Sequence, residues 1–141
     1  MRWLFKEEPT HYAYDALARD KTTRWSGVKN PLAQQHLKAV RRGDPIFYYH
    51  TGKQKAVVGV ARAVTDAYPD PGDRTGKRSA VDVAAVRPLA RPVTLAEIRK
   101  TRSLADLPLV RISRLSVMPV SGAQWEAIVR LSERPPGAAH R

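Results

Sequence analysis

No cysteine occurs among the 141 residues, which excludes disulfides, zinc–thiolate centres, iron–sulfur clusters and thiol nucleophiles at once. That usage fits a reducing compartment. Long apolar runs are also missing: Trp3-Leu4-Phe5 near the N-terminus is far shorter than a secretory core or a membrane span. A soluble cytoplasmic protein with no membrane partner is the expectation. His11, His36, His50 and His140 are too scattered to make a metal-binding pair, and glycine-rich phosphate loops are absent. Neither a metal nor another cofactor is therefore expected. Acidic residues are few, 13 against 25 Lys plus Arg, for a net charge of +12. A field of that sign draws polyanions, so nucleic acid is the first partner class to consider and an anionic membrane surface the second. The basic residues are spread along the chain with no dominant run. That pattern points to a charged surface assembled by folding rather than to a basic tail.

With 43% hydrophobic and 27% charged residues, a chain of this length supports one core and buries roughly two thirds of its unfolded surface without staples. A single domain is expected over residues 1–132, and residues 133–141, which include Pro135-Pro136-Gly137, read as a flexible tail. Apolar and aromatic residues predict strands over 2–6, 46–50, 56–67 and 80–89, the second and third joined as a hairpin through the loop 51–54. Residues 109–118 read as a late strand or extended segment, 12–19 as one or two helical turns, and 68–76 as an exposed loop. Asn30-Pro31 has the order of an N-cap and first helical residue, followed by Leu32, Leu37 and Val40 at helical spacing. Thr94-Leu95-Ala96-Glu97 and Ser121-Gly122-Ala123-Gln124 each match a capping box, so each should open a helix. Strands dominate without regular βα alternation, which favours an α+β architecture, a small mixed barrel or half-open sheet with packed helices, over a doubly wound fold.

Several blocks in order carry a family resemblance: W-L-F-K-E-E-P at 3–9, R-W-S-G-V-K-N at 24–30, F-Y-Y-H-T at 47–51, V-V-G-V-A at 57–61, Y-P-D at 68–70, V-D-V at 81–83, P-L-V-R-I-S-R-L-S-V-M-P-V at 108–120, and Q-W at 124–125. Together they resemble the EVE domain family over nearly the whole chain. The resemblance implies a PUA-like fold: a small, strongly bent mixed β-barrel of about five to six strands with flanking helices and a cleft suited to one base. EVE domains are similar to YTH domains, which hold a methylated adenine of RNA in an aromatic cage. The implied function is thus a binder rather than an enzyme, a monomeric reader of a methylated or hydroxymethylated base in DNA or RNA. Glu7, Lys29 and Thr51 depart from the Ser, Arg and Ser frequent in the family, and only Glu7 changes the chemistry, since a carboxylate there would repel phosphate, which leaves the choice of base edge open.

Under that resemblance the cleft centres on Trp25. It sits in a polar turn setting, Thr22-Thr23-Arg24 before it and Ser26-Gly27 after, where an indole offers a flipped base a flat partner worth roughly 1–3 kcal/mol. Ser26, Val28 and Asn30 are candidate walls, although Asn30 reads equally as a helix cap. Lys6, Glu7 and Glu8 end the first strand, and Lys6 and Glu8 point to one side of it; a surface ion pair is the plain alternative to a site. His50 and Thr51 end a central strand, where His50 is either a polar ligand edge or a structural histidine. Ser113, Leu115 and Ser116 complete the candidate base pocket, and Lys29, Lys53, Arg78 and Arg114 are candidate phosphate contacts, with a solvated face as the rival reading. Trp3 and Trp125 are expected in the core. The enzyme alternative, by analogy with ASCH-type PUA-like domains, is an amidohydrolase on an acylated nucleobase using Lys6, Glu8 and Thr51. A lysine of displaced pKa near an activated threonine would favour it. A general RNA-binding accessory module is a further possibility, and a protein-interaction module would require an exposed apolar patch.

Overall fold

Alternating backbone hydrogen bonds on both edges hold strand β1 (Arg2–Glu7) in the middle of the sheet, where Trp3, Leu4 and Phe5 are at most 1% exposed. Burying each such side chain is worth about 1.5–3 kcal/mol, so this strand anchors the core. The computed structural model describes residues 1–134. Pro9 opens α1 (Pro9–Tyr12), where its missing N–H is not needed. α2 (Tyr14–Asp20) ends at Lys21, whose φ of 73° lets its N–H close on the Leu17 carbonyl. β2 (Thr22–Trp25) leads to α3 (Pro31–Lys38), which Asn30 caps by accepting from the Ala33 N–H at 3.0 Å. The hairpin of β3 (Pro45–His50) and β4 (Ala56–Ala63) follows, then β5 (Tyr68–Pro69) and the long β6 (Ser79–Thr94). α4 (Leu95–Arg99), α5 (Pro108–Arg111), β7 (Val117–Val120) and α6 (Gly122–Glu133) complete the described chain.

The strands run β2-β6-β4-β3-β1-β7, with β5 on β6. β1 and β3 pair in parallel, which the α1–α3 crossover permits, and the other neighbours are antiparallel. The architecture is the expected α+β one in its half-open form: the six-strand path, with β5 added, leaves β2 and β7 as its ends. Register shifts between Val57 and Gly59, and between Val60 and Ala61, bend β4 against β6. Gly59 admits the Tyr14 ring at that bend, since a Cβ there would lie 2.6 Å from it. Both capping boxes form, Thr94 with Glu97 and Ser121 with Gln124. Trp125 on α6 stacks on Phe47 at 3.6 Å, and the Trp3 indole donates to Asp44 at 2.9 Å, so both tryptophans serve the core as expected.

Local expectations fail at identifiable points. Residues 22–25 form a strand instead of a turn, because β6 supplies a pairing edge that their polar composition does not announce. The segment 109–118 is no continuous strand: Pro108 starts a helical turn, and regular pairing waits until Val117. β4 stops at Ala63, four residues early, while β6 continues to Thr94, five residues beyond its expected end. The predicted tail lies mostly outside the described residues, at 135–141; α6 itself extends through Glu133.

Candidate functional site

Two cavities open beside the C-terminal end of β1, and strand alternation separates them: Glu7 lines one and Lys6 the other. The first, about 190 Å³, is lined by Glu7, His11, Tyr12, Thr23, Arg24, Trp25 and Ser26. It is smaller than the roughly 300 Å³ at which drug-sized pockets begin, so a single flat ring is the occupant it suits. Trp25 is only 7% exposed, yet it contributes to this wall. Behind it, the indole meets Phe5 at 5.2 Å and stands edge-on to Tyr48 at 5.5 Å, and Tyr48 in turn meets Tyr14 and His50 edge to face. That aromatic chain fixes the plane of the indole.

Three separate contacts hold the segment after Trp25. Buried Asp70 accepts from the Gly27 N–H at 3.2 Å and from the Gly72 N–H at 2.9 Å. Gly27 has a φ of 71°, so glycine is the natural residue at this turn. Gln34 donates to the Val28 carbonyl at 2.7 Å and accepts from the Ser79 N–H at 2.9 Å. Asn30 closes the segment as the α3 cap. The blocks 24–30 and 68–70, far apart in sequence, therefore form one support for the cavity rim.

The polar wall is asymmetric. Glu7 Oε1 accepts from the Glu8 N–H at 2.9 Å and lies 3.2 Å from His11 Nδ1, while Oε2 has no hydrogen-bond partner among the described residues. Tyr12 donates to Asp20 at 2.9 Å, and burial together with that carboxylate pushes its phenol pKa up, keeping it a neutral donor. Arg24 stands opposite Asp82 in the β2–β6 register, where Asp82 also receives the Tyr68 hydroxyl. An acceptor beside donors and an aromatic wall is a set that can read the edge of a base.

The second cavity, about 210 Å³, is lined by Lys6, Tyr49, Thr51, Gly52, Lys55, Leu95, Arg99, Leu109 and Ser113. Lys6 Nζ donates to the Ser113 carbonyl at 2.9 Å and lies 5.9 Å from the Tyr49 ring centre. Burial holds the Lys6 pKa below its ordinary value. Thr51 donates to Glu8 Oε2 at 3.3 Å, and the same carboxylate presses against Gly52, whose φ is 76°. Lys6 and Glu8 thus serve the same side of β1, as alternation requires.

The candidate residues divide accordingly. Trp25, Ser26 and Glu7 share the first cavity; Lys6, Thr51 and Ser113 share the second, with Glu8 bonded to its wall. Val28 is half-buried against the core and Asn30 is a cap. His50 lines neither cavity: Nε2 accepts from the Tyr14 N–H at 3.0 Å, and Nδ1 meets Gln54 at 2.8 Å. Leu115 is core, and the Ser116 carbonyl accepts from the Lys6 N–H. Lys29 and Arg114 are exposed, Arg78 is half-buried, and Lys53 lines a groove that continues the second cavity. His11, Tyr12, Thr23 and Arg24 were not among the expected residues; alternation along 22–25 would have put Thr23 beside Trp25 had a strand been recognised there.

The EVE domain family profile matches residues 1–131. Human thymocyte nuclear protein 1 is 29% identical over 168 residues, covering 95% of this chain and 75% of its own. A crystal structure of human THYN1 protein in complex with 5-methylcytosine-containing DNA superposes with a TM-score of 0.87 at 29% identity, covering 96% of this chain and 99% of that one. The NMR structure of Rpa0253 from Rhodopseudomonas palustris is 41% identical with a TM-score of 0.89, over 93% of this chain and 92% of that one. An ASCH protein from Zymomonas mobilis, 14% identical with a TM-score of 0.56 over 92% and 94% of the two chains, shares the fold alone. No helix among the described residues is long and apolar enough to cross a membrane.

Proposed function

The chain belongs to the EVE domain family, and from that premise we propose that it is a nucleic-acid-binding reader that holds one modified base in the Trp25 cavity and performs no catalysis. The observation that carries this reading is the cavity itself: an indole fixed by Phe5 and Tyr48, with a Glu7 carboxylate oxygen that has no partner among the described residues on one side and His11, Arg24 and Ser26 around it. A base turned out of its stack gains roughly 1–3 kcal/mol against such an aromatic wall. Glu7 Oε2 is suited to accept from an exocyclic amine, as carboxylates do from the cytosine amino group. The human relative solved with 5-methylcytosine DNA supports a methylated cytosine as the first base to try. Phosphate contacts by the basic surface supply affinity, and the cavity supplies selectivity.

The test is binding of the native protein to matched DNA and RNA oligonucleotides, unmodified or carrying one methylated or hydroxymethylated base, at two salt concentrations. One modified base should bind tighter by about 1 kcal/mol or more. Trp25→Ala should remove that difference, and Ser26→Tyr, which fills the cavity from its exposed rim without touching the core, should do the same while the salt dependence persists. Equal binding of every base by the native protein contradicts the reading, as does a preference that survives Ser26→Tyr.

One observation favours the amidohydrolase as a second reading. Lys6, with its lowered pKa, and Thr51 line the same cavity, and Glu8 accepts the Thr51 hydroxyl proton. In such a reaction water would add to the acyl carbon, and the C–N bond to the base would break. Against it, the hydrogen bond that the Lys6 ammonium makes among the described residues goes to the Ser113 carbonyl, while the Thr51 hydroxyl is held by Glu8 and not by Lys6. Incubation with an N4-acylated cytidine separates the readings: the reader releases no acid, whereas the hydrolase releases it and loses this activity in Lys6→Met.

A further inference from the structure

We propose that the Lys6 cavity and the groove continuing it past Lys55 and Arg99 form a phosphate site distinct from the base cavity, across β1 from it; its nucleic-acid use rests on the reader assignment above. Lys6, Lys55 and Arg99 converge on the cavity, and Lys53 joins Lys55 and Arg99 along the groove. No carboxylate lines either space, and none of these four cations forms an ion pair among the described residues. Two carboxylates bond to residues of the lining, and both are engaged: Glu8 accepts from the Thr51 hydroxyl at 3.3 Å, and Glu97 accepts from the Thr94 hydroxyl at 3.2 Å and pairs with Arg91 at 2.7 Å.

Chemistry favours an anion over a neutral ligand. A half-buried ammonium satisfied only by a carbonyl gains when an anion arrives, because the attraction acts across a low-dielectric floor, here Tyr49, Leu95 and Leu109. Arg99 and Tyr49 line the same wall, and although burial raises the Tyr49 pKa, the Arg99 charge acts against that rise. Arg99 offers a planar fork and Lys55 a point charge, the pairing of donors that suits tetrahedral phosphate oxygens. Ser113 also lines the wall, while the Thr51 hydroxyl is already given to Glu8. α4 presents Arg99 on a rigid stub, since its capping box and the Arg91–Glu97 pair at 2.7 Å fasten the start of that helix.

The phosphate has two sources, a phosphodiester of a bound strand or a free phosphate, and the experiment has an arm for each. Backbone amide shifts of Thr51, Gly52 and Lys55 are followed by NMR in the full chain as inorganic phosphate, or an oligonucleotide without terminal phosphates, is added. The double variant Lys55→Gln/Arg99→Gln is compared with native protein for oligonucleotide affinity against salt. The expected result is that the oligonucleotide moves those amides, while the double variant binds on the order of tenfold more weakly with a salt slope reduced by about 1.4–1.8. The ratio of methylated to unmodified binding should stay as in the native protein. Shifts with inorganic phosphate that vanish in the variant also support the site and name the free ion as its ligand. A double variant with native affinity and slope, together with unmoved amides, overturns the proposal. Loss of modified-base preference in the native protein with the slope change intact would sink the reader and leave the phosphate site standing.

Discussion

The two sides of the β1 end are built differently. On the Glu7 side the wall is tied to the interior: the Trp25 indole is wedged among Phe5 and Tyr48, and Asp70, Gln34 and the Asn30 cap hold the segment behind it. On the Lys6 side the wall carries long cationic side chains, with Lys53, Lys55 and Arg99 exposed on a hairpin loop and a short helix. A fixed aromatic plane discriminates shapes, while flexible charges hold a backbone whose position varies. Under the two proposals above, selectivity belongs to one face of the strand and affinity to the other, and variants on either face test whether the two separate.

Trp25→Ala should have the largest effect. It removes a core aromatic as well as a cavity wall, so unfolding in urea should show a loss of about 3–5 kcal/mol, against roughly 0.5 kcal/mol or less for Lys55→Gln on the exposed side. Comparable losses for both would erase the distinction. Next is Asp70→Ala, which leaves the Gly27 and Gly72 N–H groups without their acceptor. About 1–3 kcal/mol of stability should go with it, and modified-base preference should fall although Asp70 lines neither cavity. Asn30→Ala removes only the α3 cap and should cost about 1 kcal/mol by the same denaturation. If it also abolishes base preference with the fold intact, Asn30 contacts the base as well as capping.

A pH effect belongs to the Lys6 side. The Arg91 guanidinium, with burial opposing it and Thr94 assisting, holds the Glu97 carboxyl down to about 2 from the usual 4.5. Because the folded-state value is depressed, the stabilisation is complete above pH 4.5 and is lost as pH falls from 4.5 toward 2. Its size should be about 1 kcal/mol or less for a pair still partly open to solvent. Melting temperatures between pH 7 and pH 2 should show a shallower acid slope in Arg91→Ala than in the native protein. An unchanged slope would mean that the pair does not fasten α4.

Signals that lie within one stretch of chain were readable from the sequence. Both capping boxes, the Asn30-Pro31 helix start and the hairpin through 51–54 follow from local backbone chemistry, and each formed. Trp25 stands out in the sequence but its setting does not, since Thr22-Thr23-Arg24 has the composition of a turn and becomes a strand only because β6 offers an edge. The division between the cavities was half visible. Alternation separates Lys6 from Glu7, but nothing near Arg99 or Tyr12 in sequence says that they stand beside those residues. His50 looked as much like a ligand edge as a structural residue, and the Tyr14 N–H that occupies its Nε2 is 36 positions away.

The central claim, that a base enters beside Trp25 and nowhere else in the aromatic core, is tested most directly by the three tryptophan indole resonances. Trp3 donates to Asp44 and Trp125 stacks on Phe47, both away from the cavity, so the three report on separate places. On titration with an oligonucleotide carrying one 5-methylcytosine, the Trp25 indole N–H signal should move while those of Trp3 and Trp125 stay, and the unmodified oligonucleotide should move it less. An unmoved Trp25 signal at saturating oligonucleotide would contradict the account.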